Sequence, residues 1–142
     1  MKLIASLILA AALTAGCGES AGGASPRPPD ATIDFGGPER TMLTGSYCWS
    51  TVTSSVCGDS GDPSRMPGLP RLRVTPGTAG RIHLGFDPSS VKLSVDGAPV
   101  AAGTGRTVAF VPDRSGVLEI FLEDGDSDVS YYARLILAGP PR

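Results

Sequence analysis

The sequence predicts an all-β protein, a single immunoglobulin-like antiparallel β-sandwich carried behind a leader and a tether. Three observations point there. Apolar and polar residues alternate with period two through most of the second half of the chain, the mark of half-buried antiparallel strands, and no segment there keeps a 3.6-residue period. Turn sequences rich in Gly, Pro and Asp separate these segments at intervals of about 8–12 residues, as in sandwiches and barrels. The folded part, residues 41–142, holds about 100 residues, the size of an immunoglobulin-like domain.

The chain opens on "MKLIASLILAAALTAGC", with one basic residue, Lys2, then an uncharged apolar run from Leu3 to Leu13, then small residues. A positive start followed by an apolar stretch of about 7–15 residues is a secretory signal, and the run is shorter than the ~20 residues a membrane-spanning helix needs. "LTAGC" resembles a bacterial lipobox, with Ala15 and Gly16 before the cysteine and Thr14 where leucine is commonest. That resemblance implies cleavage of residues 1–16 and a diacylglycerol on the Cys17 thiol. An ordinary secretory signal with a chance cysteine is the alternative. Residues 17–40 then read as lipidated cysteine plus tether. "GESAGGASPRPPD" has no large apolar residue to offset its ordering entropy, and its "PRPP" favours extended polyproline II. "ATIDFGGPER" is a transition with a first short strand at Thr32–Phe35.

Beyond residue 70 the alternation becomes regular. "RLRV" sets Leu72 and Val74 against Arg71 and Arg73, "RIHLGF" sets Ile82, Leu84 and Phe86 against His83, and "VKLSV" groups Val91, Leu93 and Val95. Asp96-Gly97 is a two-residue hairpin signal because Gly accepts positive φ. "APVAA" returns, "TVAFV" follows with Val108 and Phe110, and "PDRSG" makes another turn. "GVLEIFLE" and "VSYYARLIL" close the chain as a pair around the acidic "DGDSD".

Of the three cysteines, Cys48 and Cys57 remain once Cys17 is given to lipid. In an oxidising compartment such a pair forms a disulfide, and closing a loop of this length stabilises by about 2.7 kcal/mol on the chain-entropy model. Trp49 is then expected over the bridge or capping one end of the sandwich. A redox couple prefers Cys-X-X-Cys, and a structural zinc site wants four ligands in close pairs. A copper site from Met42, Met66 and His83 has no spacing to unite it. "GDSG", Gly58 to Gly61, resembles the segment around the nucleophile of trypsin-like proteases, but the one histidine, His83, lies downstream of Ser60 in a strand. Without an upstream base, Ser60 reads as part of a polar turn.

Glu123, Asp124, Asp126 and Asp128 gather in the last hairpin and are a candidate weak calcium loop. An EF-hand starting at Asp124 is excluded, since Val129 and Leu135 stand where its glycine and glutamate belong. The default is a solvated turn. His83 is expected on a solvent face or rim. The formal charge of −2, with 12 basic and 14 acidic residues, gives no footprint for nucleic acid. Asn and Gln are absent, which disfavours carbohydrate recognition through amides.

The run "GSYCW…VCGD", followed by "LPRLRVTPG", "IHLGF" and "SYYARLIL", resembles small uncharacterised lipoproteins of Gram-positive, actinobacterial type. Their mark is a Gly-Ser/Thr-Tyr-Cys-Trp segment with a second cysteine and an Ig-like β domain. The resemblance implies a cell-surface protein held to the membrane by its lipid. The expected function is a non-catalytic binding module on the extracytoplasmic face, with no cofactor and a cell-wall or envelope-protein partner. Its candidate binding loop holds Tyr47, Trp49 and Asp59, because loops on a rigid β scaffold carry recognition. A structural or stress-related envelope protein is the alternative, and an enzyme a distant third.

Overall fold

Alternation in the sequence becomes alternation of burial in the computed structural model, which describes residues 26–139. The residues read as a leader, Cys17 and the start of the expected tether lie outside the described residues. The strands are β1 (Ala31–Asp34), β2 (Arg40–Thr41), β3 (Leu43–Ser50), β4 (Ser55–Gly58), β5 (Arg71–Val74), β6 (Gly80–Leu84), β7 (Ser90–Val95), β8 (Ala98–Gly103), β9 (Thr107–Phe110), β10 (Gly116–Asp124) and β11 (Ser127–Leu137). Among the described residues no helix is long and apolar enough to cross a membrane.

Two sheets form the sandwich. The smaller runs β2-β1-β6-β9 and the larger β4-β3-β11-β10-β7-β8, with β5 added beside β11. Ile33, Ile82, Leu84, Val108 and Phe110 line the inner face of the first. Val91, Leu93, Val95, Leu118, Ile120, Leu122, Val129, Tyr131 and Leu135 line that of the second. The architecture is that of an immunoglobulin-like all-β sandwich. The long strand β11 organises the larger sheet. One of its edges pairs with β10 throughout; the other is shared, antiparallel with β3 over Asp128–Tyr132 and parallel with β5 over Arg134–Leu137.

Between Val129 and Tyr131 the register slips, because Tyr47 faces the first and Thr44 the second. The extra residue on β3 is a β-bulge at Gly45–Ser46. The β7–β8 turn is the one that Asp96-Gly97 announces, with Val95 opposite Ala98 and φ of 48° and 78° at the two turn residues.

The N-terminal boundary differs from expectation. The tether predicted over residues 17–40 gives way to folded chain well before residue 40. Strand β1 runs Ala31–Asp34, one residue earlier than predicted, and pairs with both β2 and β6. Pro28 is buried, Pro29 packs against Gly85, and the Pro29 carbonyl accepts a hydrogen bond from the Tyr131 hydroxyl. The reason lies in the residues. Ala31 and Ile33 give the segment an apolar face, and prolines without N–H groups can pack with few unsatisfied donors. Burial also pushes the Tyr131 phenol well above its ordinary value.

Candidate functional site

Cys48 and Cys57 stand directly opposite each other on antiparallel β3 and β4 and are joined by a disulfide. Successive side chains on a strand point to opposite faces, so the bridge lies on the outer face while Tyr47 and Trp49 turn inward. Trp49 meets Phe86 edge-on, with ring centroids 5.0 Å apart, and closes one end of the core instead of covering the bridge. The Tyr47 ring lies against Gly58. Two of the three residues of the candidate binding loop are thus packing residues.

The third, Asp59, holds the following turn in place. Its Oδ1 accepts from the Gly61 N–H at 3.0 Å and the Ser46 hydroxyl at 2.9 Å, and these bonds hold its carboxyl below the usual range. The Ser60 N–H donates to Ser46 Oγ at 3.2 Å, and the two hydroxyls are 3.3 Å apart. His83 is on the other sheet. "GDSG" therefore docks onto the bulge of β3, and Ser60 has a serine for its neighbour.

In the acidic hairpin, Glu123 stands opposite Asp128 and Asp124 opposite Ser127, with Gly125 and Asp126 at the turn. Strand alternation sends Glu123 and Asp124 to opposite faces. Glu123 turns to Lys92, its Oε2 3.2 Å from Nζ. Among the described residues, three of these carboxylates do not come within 4.8 Å of one another. The candidate calcium loop does not close into a cage.

A different group does converge. Asp34, Glu39 and His83 each place a ligand atom within 4.8 Å of the other two. Antiparallel pairing sets Thr32 opposite His83 and Asp34 opposite Arg81, all on the outward face because Ala31, Ile33, Ile82 and Leu84 take the inward one. Glu39 arrives from the loop before β2. His83 Nε2 lies 3.0 Å from Asp34 Oδ2 and 3.9 Å from Glu39 Oε1. The remaining oxygens are also held: Asp34 Oδ1 accepts from the Gly36 N–H at 2.9 Å, and Glu39 Oε2 from the Thr32 hydroxyl at 2.9 Å. The Gly36 and His83 hydrogen bonds keep the Asp34 carboxyl below its ordinary value. Sequence reasoning placed His83 on an outward face and missed its partners. The signal was in "ATIDF", where alternation puts Thr32 and Asp34 opposite Ala31 and Ile33, but it has meaning only once β1 is known to pair with β6.

Beside this group a cleft of about 260 Å³ opens between β1–β2 and β5, floored by Ile33 and Leu72 and flanked by Arg40, Arg71 and Arg73. Asp34 is the acidic residue on its lining. Among the described residues, none of the three arginines has a carboxylate within 4.0 Å. Arg71 also borders a second concavity of about 440 Å³, which Arg134 lines from β11. The arginine alternation that looked like the polar side of a strand thus collects positive charge on one edge of the sandwich.

No protein-family model matches the chain, and no curated protein does. Among solved structures, the chain is similar to a lytic polysaccharide monooxygenase of Jonesia denitrificans, with 13% identity and a TM-score of 0.42. The alignment spans 56% of this chain and 64% of that one.

Proposed function

We propose that the protein is a lipid-anchored, extracytoplasmic, non-catalytic binding module that recognises an acidic polymer of the cell wall through the arginine-lined edge of its sandwich. The lipobox-like "LTAGC" and the Gly-Ser-Tyr-Cys-Trp segment support the anchor on Cys17. The Cys48–Cys57 disulfide fits an oxidising compartment. The observation that carries the binding reading is the cleft with three guanidinium groups, none of which has an acidic partner among the described residues. A guanidinium presents a planar fork of donors suited to bidentate contact with phosphate or carboxylate. Arg71 and Arg73, two residues apart on one face of β5, offer two such forks in register. The recognition surface therefore sits on the edge of the sandwich, since Tyr47 and Trp49 are committed to the core. The separation of Ser60 from His83 supports a non-catalytic role.

Co-sedimentation of the full chain with purified cell walls tests this reading. Binding is expected to intact walls, to weaken as salt rises, and to vanish on walls stripped of their anionic polymers. Replacing both Arg71 and Arg73 by Ala should weaken it by about tenfold or more, the worth of a lost charged hydrogen bond. Equal binding to stripped walls, or an arginine variant that binds like the parent, overturns it. Cys17→Ser should release the protein from membranes and abolish labelling by radioactive palmitate.

A further inference from the structure

We infer that Asp34, Glu39 and His83 form a binding site for a divalent transition-metal ion of the zinc class, which clamps the first strand of the sandwich to its neighbour. The donor set is one imidazole nitrogen and two carboxylate oxygens, the ligand chemistry zinc accepts. In a tetrahedral site with bonds of about 2.0–2.1 Å, adjacent ligand atoms stand about 3.3–3.4 Å apart. The separations from His83 Nε2, 3.0 Å to Asp34 and 3.9 Å to Glu39, bracket that value. The adjustment falls to Glu39, whose side chain is 57% exposed on a loop, while that of Asp34 is 11% exposed.

Both carboxylates are also held in place from outside the group. Each spends one oxygen on a hydrogen bond within the protein, to the Gly36 N–H or the Thr32 hydroxyl, and turns the other toward His83. Outer hydrogen bonds of this kind orient metal ligands before the metal arrives. The charges also fit. A metal-bound imidazole is neutral, so the two carboxylates would bring two negative charges, which a dication cancels. Arg81, opposite Asp34 in the sheet, opposes the cation and keeps the site weaker than a closed four-ligand structural one. The three protein ligands leave the outward position to water.

Asp34 and Glu39 flank the short loop that joins β1 to β2, and His83 belongs to β6. One ion would therefore fasten both ends of that loop to the next strand. β1 is also the strand that follows the lipid tether, so the clamp would sit where the tether enters the domain. The inference does not depend on the cell-wall reading, because it rests on other side chains and is read out with the metal alone.

The test is isothermal titration of the full chain with Zn²⁺ after removal of metal by chelator, in a Cys17→Ser background that takes away the cysteine outside the disulfide. One Zn²⁺ should bind per chain and raise the unfolding temperature. His83→Ala and Glu39→Gln should each weaken binding at least tenfold, and Thr32→Val should weaken it less. Glu39→Gln should unfold at the parent temperature when chelator is present, which separates ligand loss from misfolding. The double change Glu123→Gln and Asp126→Asn should bind like the parent. The inference fails if no Zn²⁺ binds, if binding survives both His83→Ala and Glu39→Gln, or if it follows the acidic hairpin instead.

Discussion

A methyl group at residue 45 would lie 2.1 Å from Cε2 of Tyr132 and 3.2 Å from the Ser130 carbonyl. The ring cannot step aside easily, because the Tyr132 hydroxyl donates to Glu119 Oε1 at 3.0 Å. Ser130 Oγ donates to the same oxygen at 3.2 Å, so the patch is pinned from both sides. Gly45→Ala should therefore destabilise the fold by about 1–3 kcal/mol, the usual cost of overpacking, as measured by denaturant unfolding. Asp59 yields a second prediction. Its carboxyl is held below its ordinary value by the Gly61 N–H and the Ser46 hydroxyl. A carboxylate lowered on folding contributes stability that is present above its unfolded value, about 3.9, and lost as pH falls through the lower folded one. A carbon NMR titration of Asp59 should give a midpoint below that of a free aspartate, and Ser46→Ala should raise it. At this scale the sequence was partly legible. It located Cys48, Trp49 and Asp59, but not which way each side chain faces, because face depends on register and register depends on a bulge.

Among the elements, two edge strands of the larger sheet are blunted in different ways. β8 carries Pro99 and a register shift, and β4 is four residues long and stapled to β3 by the disulfide. Short, bulged or proline-bearing edges resist pairing with other chains. The disulfide therefore holds an edge that backbone hydrogen bonds alone would hold weakly. Replacing Cys48 and Cys57 together by Ser should cost about 2–4 kcal/mol in denaturant unfolding. Hydrogen exchange should quicken first at the β4 amides while β10 and β11 stay protected. Strands with period-two apolar residues, β5 to β7 and β9 to β11, could be read from the sequence because burial imposes the period. β2 and β4 could not, being too short to show one. The parallel union of β5 with β11 was invisible as well, since pairing between segments some sixty residues apart leaves no local trace.

Across the whole molecule, the same limit explains why the site escaped the sequence. His83 and Asp34 are 49 positions apart, and Asp34 and Glu39 fall in a stretch that reads as a transition between tether and domain. Each residue is ordinary alone, and only the pairing of β1 with β6 turns them into neighbours. The arginine cleft likewise needs two sheets to meet. Composition argued for a flexible segment as far as Asp30, whereas Pro28 and Pro29 at its end pack against the sandwich. The place of β11 has a further consequence. It is the final strand of the described chain, yet it lies inside the larger sheet, with β3 and β5 on one edge and β10 on the other. A chain that emerges N-terminus first, from a ribosome or through a membrane pore, exposes β3 and β5 long before Ser127–Leu137 arrives to pair with them. The sandwich cannot close until nearly all of the domain has emerged, so the topology itself keeps the polypeptide open until its last strand arrives.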